Sequence, residues 1–142
     1  MRYFIYVLLL SFAVYSCSST KDRSLGSSED GVVENDTVRI TNDSLEYEII
    51  IIDPGFGYFL NAIARPQGYY SQTYLENKNR FLVTDYNQRV RMPGRYDPSI
   101  YELEINYDPN IDYGYDVNYK LYNYFVYLSR KYNQQFSVPT RI

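Results

Sequence analysis

The chain has 142 residues, a formal net charge of −3, 19 tyrosines and a single cysteine, and it contains neither histidine nor tryptophan. Without histidine, the chain cannot build a Ser-His-Asp or Cys-His catalytic device or a histidine-bearing zinc site. One cysteine excludes a framework of intramolecular disulfides. A mildly acidic chain without a block of Lys and Arg also lacks the basic surface on which nucleic-acid binding depends.

The first residues are typical of an export signal. A 13-residue apolar run over residues 3–15 follows a positively charged start. A membrane-spanning helix needs roughly 20 apolar residues, so this run matches a signal-peptide core instead. The run leads into the sequence VYSC, which resembles the lipobox of bacterial lipoproteins. This resemblance implies a signal peptide over residues 1–16 and lipidation of Cys17. Ordinary secretion with an incidental cysteine, and a free buried thiol, are the alternatives.

Two changes of composition divide the remaining chain. After the lipidated cysteine, residues 17–36 are rich in Ser, Gly and charge and are predicted to form a flexible tether. A tether of this length spans roughly 25 Å, which places the domain close to a membrane surface. Residues 37–134 carry the periodic apolar patterns of one α+β domain, and residues 135–142 are predicted to be a C-terminal tail.

The domain is predicted to begin with a β-hairpin. Residues 37–40 and residues 45–53 have strand patterns, and turn-forming residues separate them. Residues 49–52 are isoleucines on both faces of the second strand. Such a run is typical of a central strand that is covered on both sides.

Two helical patterns and one strand pattern follow. Asp53 suits the N-cap of a short amphipathic helix that ends before Pro66. Residues 71–92 carry the longest helical pattern of the chain, with apolar side chains on one shared face. Apolar and polar residues alternate over residues 101–107, which predicts a half-buried strand.

Residues 113–134 form the last and most informative pattern. At about 100° per residue, apolar or aromatic side chains cover well over half of this helix. Either the helix is largely buried within its own domain, or its second, tyrosine-bearing face contacts a partner. The candidates for that contact face are Tyr115, Tyr119 and Tyr122, because tyrosine supplies a large contact area at low entropic cost.

A metal-like pattern of oxygen ligands precedes this helix. Asp108, Asn110, Asp112 and Asp116 alternate with other residues as ligands do in calcium loops. The pattern departs from an EF-hand, since the glycine falls one place late and Tyr119 stands where a bidentate glutamate belongs. The loop is therefore a weak Ca²⁺ candidate, and no metal site is favoured. A ligand-binding module for Ca²⁺ or a saccharide, centred on residues 108–116, is the alternative function.

Pairs of carboxylates are the only further candidates for catalysis. Glu102 and Glu104 lie about 7 Å apart if they share one face of a strand, loosely within the range of a glycosidase pair. Glu46 and Glu48 have the same spacing. Such pairs more often form the solvated face of a strand, so the sequence predicts no enzymatic activity and no cofactor.

Three segments carry a resemblance to a known family: NDSLEYEIIIIDPGF, GYYSQTYLENKNR and DPNIDYGYDVNYKLYNYFVY. They resemble an uncharacterised family of small lipoproteins from Bacteroidota, which is described only as a domain of unknown function. The resemblance implies a lipoprotein of a Gram-negative cell envelope and carries no activity. Ser18, next to the cysteine, lacks the aspartate associated with inner-membrane retention, which favours the outer membrane. The periplasmic and surface leaflets remain open alternatives.

These observations combine into one expectation. The fold is predicted to be a small single α+β domain with two or three strands, about three helices and a largely buried C-terminal helix. The function is expected to be that of a non-enzymatic structural or protein-interaction module, which is anchored to the outer membrane through Cys17 and contacts an envelope protein.

Overall fold

The computed structural model describes residues 37–141. The predicted signal peptide, Cys17 and the tether lie outside the described residues. This part of the chain forms two strands and three helices in the order β1 (Thr37–Asn42), β2 (Tyr47–Ile52), α1 (Phe56–Ala62), α2 (Gln72–Val90) and α3 (Gly114–Lys131). None of these helices is long and apolar enough to cross a membrane. The predicted α+β class is confirmed, and the core is rich in tyrosine.

The two strands form an antiparallel hairpin that is closed by a short 3₁₀ turn over Asp43–Leu45. The pairing sets Ile40 opposite Ile49 and Val38 opposite Ile51. These four side chains share one face of the hairpin because side chains alternate along a strand. That face packs against α3 and belongs to the core.

Helix α1 begins after a tight turn at Gly55, whose φ of 99° suits a residue without a side chain. The prediction that Asp53 caps this helix is wrong. Its carboxylate instead accepts hydrogen bonds from the hydroxyls of Tyr127 and Tyr132, at 2.9 and 3.0 Å, and from the ammonium of Lys131. Asp53 therefore ties the end of β2 to the last turns of α3.

Helix α2 is capped by Ser71, whose hydroxyl accepts a hydrogen bond from the backbone N–H of Tyr74 at 3.2 Å. Its buried side packs against α3 and includes Leu75, Leu82 and Tyr86. The shared apolar face that the sequence predicts for this helix is therefore confirmed.

Helix α3 is the centre of the fold. Every residue from 117 to 128 except Lys120 is buried, and α1, α2 and β1 all pack against it. The two buried asparagines satisfy their own amides, since Asn118 donates to the carbonyl of Gly114 and Asn123 donates to that of Tyr119, both at 2.8 Å. The prediction of a largely buried C-terminal helix is confirmed.

Residues 135–141 pack on α2 and α3. The Phe136 ring meets the Phe125 ring edge-on, with centroids 5.6 Å apart. The backbone of the same segment donates hydrogen bonds to the carboxylate of Asp85 and the hydroxyl of Tyr122. The folded domain therefore extends past its predicted boundary, and the segment predicted as a tail is part of it.

A buried cation holds this segment in place. The guanidinium of Arg89 donates to both carboxylate oxygens of Asp85, at 3.1 and 3.2 Å, and to the hydroxyl of Tyr101 at 2.8 Å. The same guanidinium lies 5.1 Å from the ring centroid of Tyr96 and 4.5 Å from that of Phe136. Arg89 thus joins α2, the loop that follows it and the C-terminal segment.

The predicted strand over residues 101–107 is wrong. This segment forms no ladder with the hairpin, and a side chain of α2 takes the place of a partner strand. The amide of Asn87 accepts from the N–H of Ile105 at 2.9 Å and donates to its carbonyl at 2.8 Å. Tyr101 and Ile105 are buried, whereas Leu103 between them is exposed. The alternation of apolar and polar residues therefore reflects two buried side chains, Tyr101 and Ile105, which anchor this segment to α2.

Candidate functional site

An open groove of about 390 Å³ lies between the edge of β2 and residues 99–106. These two stretches of backbone line it together with the rings of Tyr86 and Tyr124. Both rings are almost completely buried, so they form the floor and the two stretches form the walls. A concave site with an apolar floor and polar groups around it is a usual place for a ligand or a peptide to bind.

The first wall is an open edge strand. In an antiparallel hairpin, each strand bonds its partner through alternate residues, so half of the N–H and C=O groups of β2 point away from β1. Among residues 37–141, no backbone group outside the hairpin bonds to these groups. The outward side chains of Ile50 and Ile52 are also 49% and 75% exposed. Proteins usually cover or charge such an edge, and here residues 49–52 leave it uncharged beyond Glu48.

The second wall, residues 99–106, is fixed in place by side chains of α2. Asn87 fixes Ile105 through its backbone, and the hydroxyl of Tyr86 reaches the carbonyl of Ile100 at 3.4 Å. Between these anchors lies Leu103, at 79% the most exposed large apolar side chain of the described residues. The wall therefore has a fixed position although it is not part of a sheet.

The floor is uncharged. Burial raises the pKa of Tyr124, and the neighbouring Tyr86 raises it further. Burial also raises the pKa of Tyr86. Both phenols are therefore neutral at physiological pH, and their rings present an apolar surface to anything that enters the groove.

One end of the groove is closed by the buried Asp53 and its partners. Burial lowers the pKa of Lys131, but its hydrogen bonds to Asp53, Tyr127 and Tyr132 outweigh this effect and hold the pKa above its usual value. Lys131 is therefore a cation at neutral pH and neutralises Asp53. This cluster anchors the end of β2 and leaves no free acid there.

The rim of the groove carries carboxylates, one of which has no cationic partner among the described residues. Its lining residues include four acids, which are Glu48, Asp53, Glu102 and Glu104, and no Lys or Arg. The Arg91 guanidinium, which donates to both oxygens of Glu104 at 2.7 Å, lowers the pKa of that carboxyl. Glu102 forms no ion pair with any residue of the described part. Carboxylates at such a rim attract cations, and the unpaired Glu102 is the one that no cation of the described residues already neutralises.

Residues 4–138 match the model of the Family of unknown function (DUF6146). The chain belongs to this family. The matched range includes Cys17 and nearly all of the apolar run before it, as well as most of the folded domain. No curated protein and no solved structure shows a match to the chain. The predicted domain of unknown function is thus confirmed, whereas the lipoprotein character and the Bacteroidota origin stay predictions.

The predicted tyrosine contact face is wrong, because the chain covers it. Tyr119 and Tyr122 are buried, and Tyr115 is half-buried. All three hydroxyls donate to backbone carbonyls of the same domain, those of Tyr70 (3.2 Å, from Tyr115), Arg65 (2.7 Å, from Tyr119) and Arg141 (3.3 Å, from Tyr122). The loop before α2 and the C-terminal segment therefore occupy this face, and burial is the correct explanation for the tyrosines.

The structure does not bring the predicted oxygen ligands together. Each acid has its own local partner: Asp108 accepts from Asn110, Asp112 from Gly114 and Gln72, and Asp116 from Lys120 and Gln67. In the described part of the chain, no three His, Cys, Asp or Glu side chains are placed to hold a metal ion. The alternating pattern of oxygens therefore serves turns and the start of α3.

Sequence reasoning missed the groove, although one signal points to it. The isoleucines of β2 are apolar on both faces, and this predicts cover on both sides. Cover on the second side is absent within the described residues, where Ile50 and Ile52 are exposed. The prediction of a fully covered central strand is wrong, because among the described residues β2 pairs only with β1, and residues 101–107 are bonded to α2.

Proposed function

We propose that the protein is a non-enzymatic interaction module of the cell envelope, which is tethered to the outer membrane by lipid on Cys17 and contacts its partner through the groove beside β2. The observation that carries the interaction role is the open, apolar edge of β2, with its exposed Ile50 and Ile52. A continuous unpaired edge with apolar neighbours is a template for pairing with another chain, which would bond the free backbone groups and cover the apolar side chains.

The anchor is supported by the sequence. A short apolar run followed by the VYSC motif suits lipidation of Cys17, and two or three acyl chains anchor a protein durably. The family match begins at residue 4 and so includes this region. The 19 residues between Cys17 and β1 can span no more than about 65 Å. The groove would therefore operate within that distance of the membrane.

Metabolic labelling with a clickable fatty acid tests the anchor. We expect the wild-type chain to carry label and to sediment with outer membranes, and Cys17→Ser to lose both properties. Ser18→Ala, which changes the neighbouring residue only, serves as the control and is expected to behave like the wild type. Label that persists on the Cys17→Ser variant would show that the anchor is not at this residue.

Photo-crosslinking in intact cells tests the interaction site. A photoreactive amino acid at position 103 stands in the groove wall, and one at position 81 replaces Phe81, which is also exposed, on α2, but does not line the groove. We expect a discrete protein adduct from position 103 and none from position 81. Adducts of equal yield from both positions, or none from either, would contradict the groove as the contact site.

A further inference from the structure

The groove is walled by backbone that can pair with one more strand. The free edge of β2 offers N–H and C=O groups that no described backbone group outside the hairpin uses. An extended residue in a sheet fills roughly 160 Å³, given a rise of about 3.3 Å, a strand spacing of about 4.8 Å and a thickness of about 10 Å. The groove of about 390 Å³ therefore accommodates two or three such residues, with the ends of the segment outside it.

The side chains around the groove define what such a strand carries. On one face, alternate side chains would meet the rings of Tyr86 and Tyr124, and this contact favours apolar residues. On the other face, they would lie beside Ile50, Ile52 and Leu103, which are all exposed. Carboxylates stand around the same apolar patch. Lys and Arg fit this face best, because their stems cover apolar surface while their charged ends reach acids.

The charges around the groove also favour a basic partner. Four acids and no basic residue line the groove. Glu48, Asp53 and Glu104 have cationic partners on the protein, namely Arg39, Lys131 and Arg91. Glu102 has none among the described residues, so it is the carboxylate that gains most from a cation on the ligand. Complementary charge of this kind fixes register and selects partners.

We propose that the groove binds an extended peptide segment of another protein, in which apolar residues alternate with Lys or Arg, as a third strand added to β2. Addition of a strand to an open edge is an established mode of peptide recognition, in which backbone bonds give affinity and alternate side chains give specificity. The proposal rests on the proposed function, since it names the chemistry of the partner at the same groove.

A second copy of the chain suits the groove less well. Its own β2 edge would bring Glu48 and its neighbour Glu46 towards the Glu102 and Glu104 of the first copy. Like charges at close range disfavour that pairing. Self-association is therefore an outcome that would count against the proposal.

Fluorescence anisotropy with labelled peptides is the test. The full-length protein in detergent is titrated into two peptides of about nine residues, one alternating Val with Lys and the other alternating Val with Glu. We expect the Val-Lys peptide to bind at least about tenfold more tightly, with an affinity that falls as salt is added. Equal affinities, or no saturable binding of the Val-Lys peptide, would overturn the proposal.

Charge reversal at one groove residue sharpens the test. Glu102→Lys is expected to weaken Val-Lys binding about tenfold, whereas Asp43→Lys, which makes the same charge change outside the groove, is expected to alter it less than about twofold. Both side chains are exposed, so both variants are expected to fold, and circular dichroism checks this. Undiminished binding to Glu102→Lys would overturn the assignment of the basic residues to this rim.

The third strand is tested separately from the charge. N-methylation of alternate Val-Lys residues removes backbone donors and keeps every side chain, so binding is expected to be lost. Retained binding would overturn strand addition, and a dimer that forms in sedimentation and blocks the peptide would assign the groove to a second copy. If position 103 still crosslinks to a protein in cells but these peptides do not bind, the proposed interaction role is retained and the proposal of an alternating basic peptide is rejected.

Discussion

The core around α3 and the edge of β2 both contain charged, polar and apolar groups, but the core pairs or covers them and the edge leaves them exposed. In the core, Arg89 is paired with Asp85, and Tyr119 and Tyr122 donate to backbone carbonyls. Only Tyr47 Oη and Asn79 Oδ1 are buried without a hydrogen-bond partner in the described residues. At the edge of β2, backbone groups, isoleucines and a carboxylate are left uncovered together. Exposed groups that cluster at one place, in a domain whose described residues otherwise leave only these two buried side-chain atoms unpaired, support the proposal that another molecule contacts this surface.

Alkaline pH is expected to have the largest effect on the core, because many buried tyrosine hydroxyls lose their protons over the same pH range. Burial raises the pKa of nine tyrosines of the described part, which are Tyr47, Tyr70, Tyr86, Tyr101, Tyr107, Tyr119, Tyr122, Tyr124 and Tyr127. For Tyr107 the pKa rises from 10.0 to about 12. Because the folded state holds these protons more tightly than the unfolded state does, the tyrosines contribute stability below pH 10. This contribution is lost as the pH rises towards 12, where the buried hydroxyls ionise.

Urea unfolding at neutral pH and at steps between pH 10 and pH 12 measures this loss, with tyrosinate absorbance followed in parallel. We expect the free energy of unfolding to be level up to about pH 9 and to fall steeply above pH 10. Tyrosinate formation that runs to completion while the fold and its stability stay unchanged would contradict the burial of these hydroxyls.

Removal of the buried cation is the largest expected effect of a single substitution. Arg89→Ala leaves the largely buried carboxylate of Asp85 without its cation and with only the N–H of Ser137 as a donor, which costs about 3–5 kcal/mol. The control is Arg39→Ala, which removes the exposed pair with Glu48 and is expected to cost at most about 1 kcal/mol. Urea unfolding by circular dichroism measures both values. Equal costs would mean that the cluster around Arg89 does not stabilise the core.

An intermediate effect is expected at the boundary between the two regions. Asn87→Ala leaves the backbone of the buried Ile105 without its partners, which costs about 1–3 kcal/mol. Hydrogen exchange is expected to become faster in residues 101–107, and the Val-Lys peptide is expected to bind more weakly. Asn77→Ala, an exposed change on the same helix, is the control for helix propensity. Unaltered exchange at Ile105 would show that this amide is not what holds the wall.

The smallest effect on stability is expected in the groove itself, although the same chemical change in the core is severe. Leu82→Ala removes a fully buried side chain and is expected to cost about 2–5 kcal/mol. Leu103→Ala removes one that is 79% exposed and is expected to cost less than about 0.5 kcal/mol. Thermal and urea unfolding compare the pair. A large cost at Leu103 would mean that this side chain supports the fold rather than a partner.

The elements that were predictable are those whose signal is local. The hairpin and all three helices follow from apolar periods of 2 and 3.6 residues, and residues 72–90 and 114–131 fold as their patterns indicate. The strand predicted over residues 101–107 failed because alternation describes which side chains are buried and not which backbone groups are bonded. Asn87, which supplies those bonds, is 18 residues away from Ile105 in the chain.

The candidate site was less predictable, because apolar residues look the same whether a domain or a partner covers them. The tyrosines of α3 and the isoleucines of β2 both have more apolar surface than one face of an element needs. The chain itself covers Tyr119 and Tyr122, whereas Ile50 and Ile52 stay exposed. Only the path of residues 65–70, 99–106 and 135–141 distinguishes these two cases.

The sequence by itself determined the class of the fold, the wide apolar and aromatic surface of the last helix and the absence of histidine and disulfide chemistry, since these depend on composition and on short-range periodicity. The tertiary structure decided which apolar face is left open, where the carboxylates gather and which hydroxyls are satisfied. Those features depend on contacts between residues far apart in the chain, such as Asp53 with Lys131 and Arg91 with Glu104. Long-range contacts of this kind leave no periodic signal, because they are set by how the elements pack.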